Sequence, residues 1–366
     1  MSVQVSYKKQ TLFGILLICI ILLSIEIISI IVLDEKNSCY AGLLESRIYD
    51  NTRIDLKKLC EDYKTTISYN NPVKHNLANQ YSDTVNINSM GFRGGELEDK
   101  VENEKYRIFF LGGSTAYGLY STSDETTISG YLQQKFKNLN VEIINAGVNG
   151  ANSFDETYTI KQKLINLSPD LFIAYDGWND ISNPIRTEYQ EEGIQDNINV
   201  NILKIKKYYK SIDFLEFLNR VLTKQVYGDR GSPNESYSNV NAIEKIELWK
   251  NRWSEVCSIG NEQNIKTIIL IQPLLGAGNK NLHEWEKYMS NQYSHASVIS
   301  NYEDFKSHAF ELKNQCSLVV DLTNVFDEKT ELIYYDLGHM GDNGNEIVSE
   351  KIYDAILPII LKDISK

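Results

Sequence analysis

The sequence predicts an α/β protein: a central, mainly parallel five-stranded sheet covered by helices on both faces, preceded by a transmembrane helix. Three observations lead there. From residue 106 onward, short runs rich in Ile, Val, Leu and Phe recur at Arg107–Leu111, Val141–Asn145, Leu171–Tyr175, Lys266–Gln272 and Leu318–Leu322. Such near-continuous apolar runs are what strands buried on both faces require. Helical patterns separate them, and strands alternating with helices imply parallel pairing with covered faces. Finally, residues 11–33 form 23 almost uninterrupted apolar positions, TLFGILLICIILLSIEIISIIVL.

That apolar run is long enough to cross the hydrocarbon core as a helix. It exceeds the apolar region of a signal peptide, and Asp34-Glu-Lys-Asn after it lacks the small residues of a cleavage site. Lys8 and Lys9 precede it, while Asp34 and Glu35 follow. The positive-inside bias then places residues 1–10 in the cytoplasm and the rest outside the cell membrane, on a single-pass anchor. Glu26 interrupts the span and is read as protonated or facing the interface, with pairing to a partner helix as the functional alternative.

Residues 34–105 show little periodicity and read as a stalk and lead-in, with Asn88-Ser-Met-Gly-Phe-Arg-Gly94 as a tight turn. The domain proper runs over 106–362. Ser153-Phe-Asp-Glu156 has capping-box spacing and opens a helix through about Asn166. Residues 185–260 exceed what one crossover needs, so they form a helical insertion, with helices around 202–225 and 240–258 on either side of Gly228–Pro233. Asn343 is the candidate N-cap of the last helix, an amphipathic one that Pro358 kinks or ends.

With 366 residues, 49 acidic and 37 basic, the chain carries a net charge of −12. That surface opposes nucleic-acid binding, which gathers basic patches against phosphates. Cys19 lies in the span and four cysteines lie beyond it, an even number that permits two disulfides in an oxidising compartment. Cys257 sits on a helix leading into one strand and Cys316 directly precedes the next. Cys257–Cys316 is therefore the favoured pair and Cys39–Cys60 follows by elimination. Asn166-Leu-Ser and Asn234-Glu-Ser are glycosylation acceptors where the host has that machinery. His75, His283, His295 and His308 show no metal-ligand spacing, so no metal is expected.

The candidate chemical residues share one property: each follows a strand. Ser114 follows the first, Gly150 the second, Asn179 the third, and Asp336 and His339 the fifth. In open parallel sheets the carboxyl ends of the strands form the ligand crevice. A serine hydroxyl needs a base to become a nucleophile, and His339 suits that role. Asp336, three residues earlier, can turn back onto the second ring nitrogen and orient it. The backbone amides of Ser114 and Gly150, with the side-chain amide of Asn179, are plausible donors to an oxyanion. Gly147 reads as a turn glycine and Asp180 as a loop brace. Trp178, Tyr117, Tyr120 and Tyr175 are candidates to line a sugar or acyl pocket.

Four blocks resemble those of the SGNH, or GDSL-like, hydrolase family: Gly112-Gly-Ser114, Asn145-Ala-Gly-Val-Asn-Gly150, Gly177-Trp-Asn-Asp180 and Asp336-Leu-Gly-His339. Gly113 departs from the aspartate usual before the serine, and Met340 from a common proline after the histidine. Asn88–Gly94 also resembles a segment upstream of the nucleophile in membrane-anchored members. The resemblance implies a flavodoxin-like three-layer fold, no metal or other cofactor, and ester hydrolysis through an acyl-serine. With an outward-facing anchor, the expected substrate is an acyl, chiefly O-acetyl, ester on an envelope or exported glycan. An acyltransferase, a lipid esterase and a non-catalytic envelope assembly protein are the alternatives.

Overall fold

The computed structural model describes residues 6–35, 38–50, 53–70, 72–98, 100, 105–183, 185, 242–292 and 296–365. The helix expected around 202–225, the Gly228–Pro233 break, Asn234, His295 and the side chain of Glu26 lie outside this set.

An apolar helix, Tyr7–Glu35, comes first. Its Tyr7–Ile25 stretch is long and apolar enough to cross a membrane, and none of it is buried against protein. Two short helices follow, Ser38–Ser46 and Leu56–Thr65, with the sulfurs of Cys39 and Cys60 bonded between them. Two small antiparallel pairs come next, β1 (Ser68–Asn70) with β2 (Lys74–Asn76) and β3 (Gln80–Tyr81) with β4 (Asn86–Ile87).

The central sheet holds β5 (Tyr106–Gly112), β6 (Val141–Asn145), β7 (Leu171–Asp176), β8 (Lys266–Ile271) and β9 (Leu318–Asp321). All neighbours are parallel, in the order β6-β5-β7-β8-β9. Written by chain order this is 2-1-3-4-5, the flavodoxin-like arrangement, whose switch point lies between the first and third strands. Gly112 pairs with Tyr175, Tyr175 with Leu270, and Leu270 with Val320, so the strands' carboxyl ends align along one edge.

Every residue of β5 and β7 is buried, and the period-2 alternation sends successive side chains to opposite layers. Phe109, Leu111, Phe172, Ala174, Ile269 and Ile271 face one core, closed by Trp249 and Trp253 of the Ala242–Glu262 helix and Phe305 of the Tyr302–Glu311 helix. Ile108, Phe110, Ile173, Ile268 and Leu270 face the other. That layer is closed by Leu132 of the Ile128–Lys135 helix and by Val348, Ile352, Ile356 and Ile360 of Asp342–Ile364. The bonded sulfurs of Cys257 and Cys316 join the helix before β8 to the turn before β9.

Three local expectations are corrected. Pro358 does not end the last helix, which continues to Ile364. The face repeating at Val348, Ile352, Ile356 and Ile360 extends beyond the proline, and its burial outweighs one lost backbone bond. Its N-cap is Gly341 and not Asn343: the helix already begins at Asp342, whose carboxylate accepts from the Thr122 N–H and hydroxyl, so Asn343 lies inside the first turn. The capping box starts one residue earlier than expected: Asn152 accepts from Phe154 N–H while Asp155 accepts from Asn152 N–H. That helix ends at Gln162 and passes into a 3₁₀ turn, Leu164–Leu167.

Candidate active site

Ser114 sits at the switch point, where β5 breaks into a four-residue helix, Ser114–Tyr117. Gly112 makes the break possible: its φ is +148°, and a Cβ there would lie 2.6 Å from Tyr175 O. A side chain at Gly113 would fall 2.2 Å from Asn179 Nδ2, so the Asn179 amide takes the space that a larger residue before the serine would need.

His339 reaches this serine from the loop between β9 and the last helix. Its Nε2 lies 2.7 Å from Ser114 Oγ, and its Nδ1 lies 2.7 Å from Asp336 Oδ2. The second carboxylate oxygen of Asp336 accepts the Gly338 and His339 backbone N–H groups at 3.0 and 2.8 Å. One four-residue turn, Asp336–His339, thus builds its own aspartate–histidine pair. Burial alone would push the Asp336 carboxyl up, but the His339 charge and these N–H donors hold it below its ordinary value. Burial pulls the His339 imidazole down, and the Asp336 carboxylate more than offsets this, leaving its pKa above 6.5. Both side chains keep partial access to solvent, 21% and 30% exposed.

Asn179 lies on the Trp178–Ser182 helix after β7. Its Nδ2 donates to Ala151 O at 2.7 Å, and an amide nitrogen carries a second hydrogen. Asp180 braces this turn by accepting from Ser153 N–H and Oγ–H. Ser114, Asn179, Asp336 and His339 meet in one cleft of about 310 Å³ that Thr115, Trp178, Gln272, Met289, Leu337 and Gly338 complete. Gly150 is not among its walls. It lies on the loop after β6 with φ +73°, and its carbonyl is gripped by Lys74 Nζ. Among the described residues, neither the Ser114 nor the Gly150 N–H is taken by another acceptor. Gly147 donates its N–H to Asn145 Oδ1 and so belongs to the turn.

Of the aromatic candidates, Trp178 faces the cleft, whereas Tyr117 and Tyr175 are core residues, 2% and 0% exposed. Tyr120 packs edge-on against the His339 ring, 5.9 Å between centroids.

Sequence reasoning missed the residues that hold these loops. Arg93, fully buried, donates to Asp124 Oδ1 (2.8 Å), to Tyr63 Oη (2.9 Å), and to the carbonyls of Tyr117 (3.0 Å) and Gly118 (2.8 Å). It therefore closes the carboxyl end of the Ser114 helix, whose last carbonyls have no partner within it. Glu286 accepts the Ile333 and Tyr334 N–H groups, at 3.0 and 3.1 Å, just before the Asp336 loop, and pairs with Lys280. The Asn88–Gly94 motif pointed to Arg93 without a role. Nothing local pointed to Glu286 or Gln272.

No protein-family model matches the sequence, and no curated protein matches it. Solved structures do. The chain is similar to an acetyl xylan esterase at 16% identity and a TM-score of 0.41, over 68% of this chain and 99% of that one. It is similar to an acetylxylan esterase from Geobacillus stearothermophilus at 14% identity and 0.40, over 69% and 94%. A protein of the lipolytic G-D-S-L family from Desulfitobacterium hafniense gives 14% and 0.38, over 67% and 97%. At these identities and scores, the chemistry of this chain rests on its own side chains.

Proposed function

We propose that the chain is a serine esterase of SGNH type, tethered outside the membrane and acting on an acyl ester, chiefly O-acetyl, of a glycan. One observation carries the reading: a single imidazole bridges the Ser114 hydroxyl and the Asp336 carboxylate at 2.7 Å on each side. In this geometry neutral His339 accepts the Ser114 proton as Oγ attacks the ester carbonyl. Asp336 accepts the Nδ1–H bond, fixes the tautomer and stabilises the imidazolium. The tetrahedral oxyanion is met by the Ser114 N–H and the second hydrogen of Asn179 Nδ2, both from residues that line the cleft, whereas Gly150 lies outside its walls. His339 then returns the proton to the leaving alcohol. Water repeats the sequence on the acyl-serine and releases the acid.

The apolar Tyr7–Ile25 stretch supports a tether, and two bonded cysteine pairs support an oxidising side of the membrane. A fluorophosphonate probe tests the chemistry. Labelling at Ser114 that is lost in Ser114→Ala and in His339→Ala is the expected result, and folded protein that takes no label ends the reading. Location is tested apart from activity: in intact spheroplasts, an external protease should digest the domain, and protection of the domain ends the outward topology.

A further inference from the structure

Among the described residues, two buried polar side chains of the cleft, Thr115 and Gln272, make no hydrogen bond, and of the two Gln272 carries the larger polar group, a whole amide. Gln272 is the first residue after β8 and is 5% exposed. Its backbone is fully engaged: the N–H donates to Asp176 O at 2.9 Å, and the carbonyl accepts from Tyr302 Oη at 2.7 Å. Its side-chain amide makes no hydrogen bond among the described residues, yet it lines the same cleft as Ser114, Asn179 and His339. Nε2 lies 3.8 Å from where a Cβ on Gly338 would sit, which puts the amide beside the loop carrying Asp336 and His339.

Buried amides are ordinarily paired, because a dry donor or acceptor loses its water without return. A wall against an acyl chain needs only an apolar residue, as Met289 and Leu337 supply here. An amide offers two N–H donors and a carbonyl acceptor, a set that a hydroxyl, itself donor and acceptor, satisfies. Trp178 in the same wall adds a broad apolar ring, suited to the C–H face of a saturated ring.

We propose that Gln272 is a specificity residue whose amide hydrogen-bonds a free hydroxyl close to the scissile ester, so that the site selects polyol and sugar esters over esters of plain alkyl alcohols. This deepens the esterase reading and rests on it. A hydrocarbon neighbour would leave the amide dry, and sites built to bond a hydroxyl reject analogues that lack it far more strongly than apolar pockets reject added groups.

The test compares kcat/KM on two ring-matched esters: a mono-O-acetyl methyl glycoside with its other hydroxyls free, and cyclohexyl acetate. Wild type should favour the glycoside by roughly tenfold or more. Gln272→Met, which keeps the length and removes the amide, should collapse that ratio through a rise in KM for the glycoside. Gln272→Glu, which keeps an acceptor and loses the N–H donors, should fall between. Where Gln272→Met fails to fold by circular dichroism, Gln272→Asn, which withdraws the amide by one methylene, takes its place. A wild type without the preference, or a preference that survives in a folded variant, overturns the proposal and leaves the esterase reading standing. Wild-type protein that takes no fluorophosphonate label overturns both.

Discussion

His339 does its work between two oxygens, and the strength of its grip on Asp336 sets the pH at which it is free to act. The carboxylate raises the imidazole's pKa above 6.5, so the base is protonated and idle at lower pH. Activity should rise with pH through that raised value. In Asp336→Asn the supporting charge is gone, so the inflection should move down while kcat falls by about 10³–10⁴-fold, because the tautomer is no longer held. A pH–rate profile of both proteins checks this, and an inflection that stays in place contradicts the assigned pairing. At this scale the residues were legible in the sequence because of short spacing: Asp336 and His339 share one turn, so an i, i+3 pattern is enough to suggest their contact. Gln272 carried no such pattern. Its side-chain amide makes no hydrogen bond among the described residues, and that is visible only in the folded arrangement.

Among the elements, the segment read as stalk and lead-in has a more specific place. Over its described residues, it packs against the loops that carry the site. Tyr63 Oη lies 2.7 Å from the carbonyl oxygens of Gly118 and Ser121, between which its one proton is shared, Tyr49 Oη donates to Tyr120 O, and Asn76 Nδ2 donates to Gly147 O at 3.3 Å. Arg93 stands at the centre of this contact, and its side chain is paired to an Asp124 carboxylate only 14% exposed. Removing one partner of a buried pair strands the other, which typically costs about 3–5 kcal/mol. Arg93→Ala should therefore unfold at lower urea by that margin, and Arg93→Lys should recover only part of it, since one ammonium cannot replace a five-donor fork. Equilibrium urea melts of the three proteins check this, and equal midpoints contradict the role. The segment was hard to read because its order comes from polar bonds to distant loops, which leave no periodic apolar trace.

Across the molecule, three carboxyls lie buried together beneath the Trp178–Ser182 turn: Glu156, Asp176 and Asp180, 4%, 3% and 7% exposed. Burial, then the charges of Asp176 and Asp180, push Glu156 well up. Burial raises Asp176 even though the Trp249 and Trp253 indoles donate to it at 2.8 and 2.7 Å. Burial, then the Asp176 charge, raises Asp180 to about 8. Each folded value lies above the unfolded one, so the native state holds protons that the unfolded chain has released. The resulting stability is complete below about pH 4 and declines as pH rises toward those raised values. Melting temperature should fall between pH 5 and pH 8.5, and Glu156→Gln should flatten that fall by removing one titrating proton. Calorimetry across this range checks it, and parallel profiles for the two proteins would contradict a shared proton load.

The sequence by itself determined what depends on local order: the alternation of buried strands and helices, the membrane-length apolar run, the glycines that break the chain before Ser114, and the aspartate–histidine spacing. Tertiary structure alone decided what depends on contacts between distant segments. It set the 2-1-3-4-5 strand order, carried the last helix through Pro358 on the strength of its buried face, and brought Arg93 and Lys74 under the loops of the site. It also left the Gln272 amide in the cleft without a hydrogen bond among the described residues. The physical reason is that periodicity and turn chemistry are written within a few residues of one another, whereas burial and hydrogen-bond pairing belong to the whole folded chain.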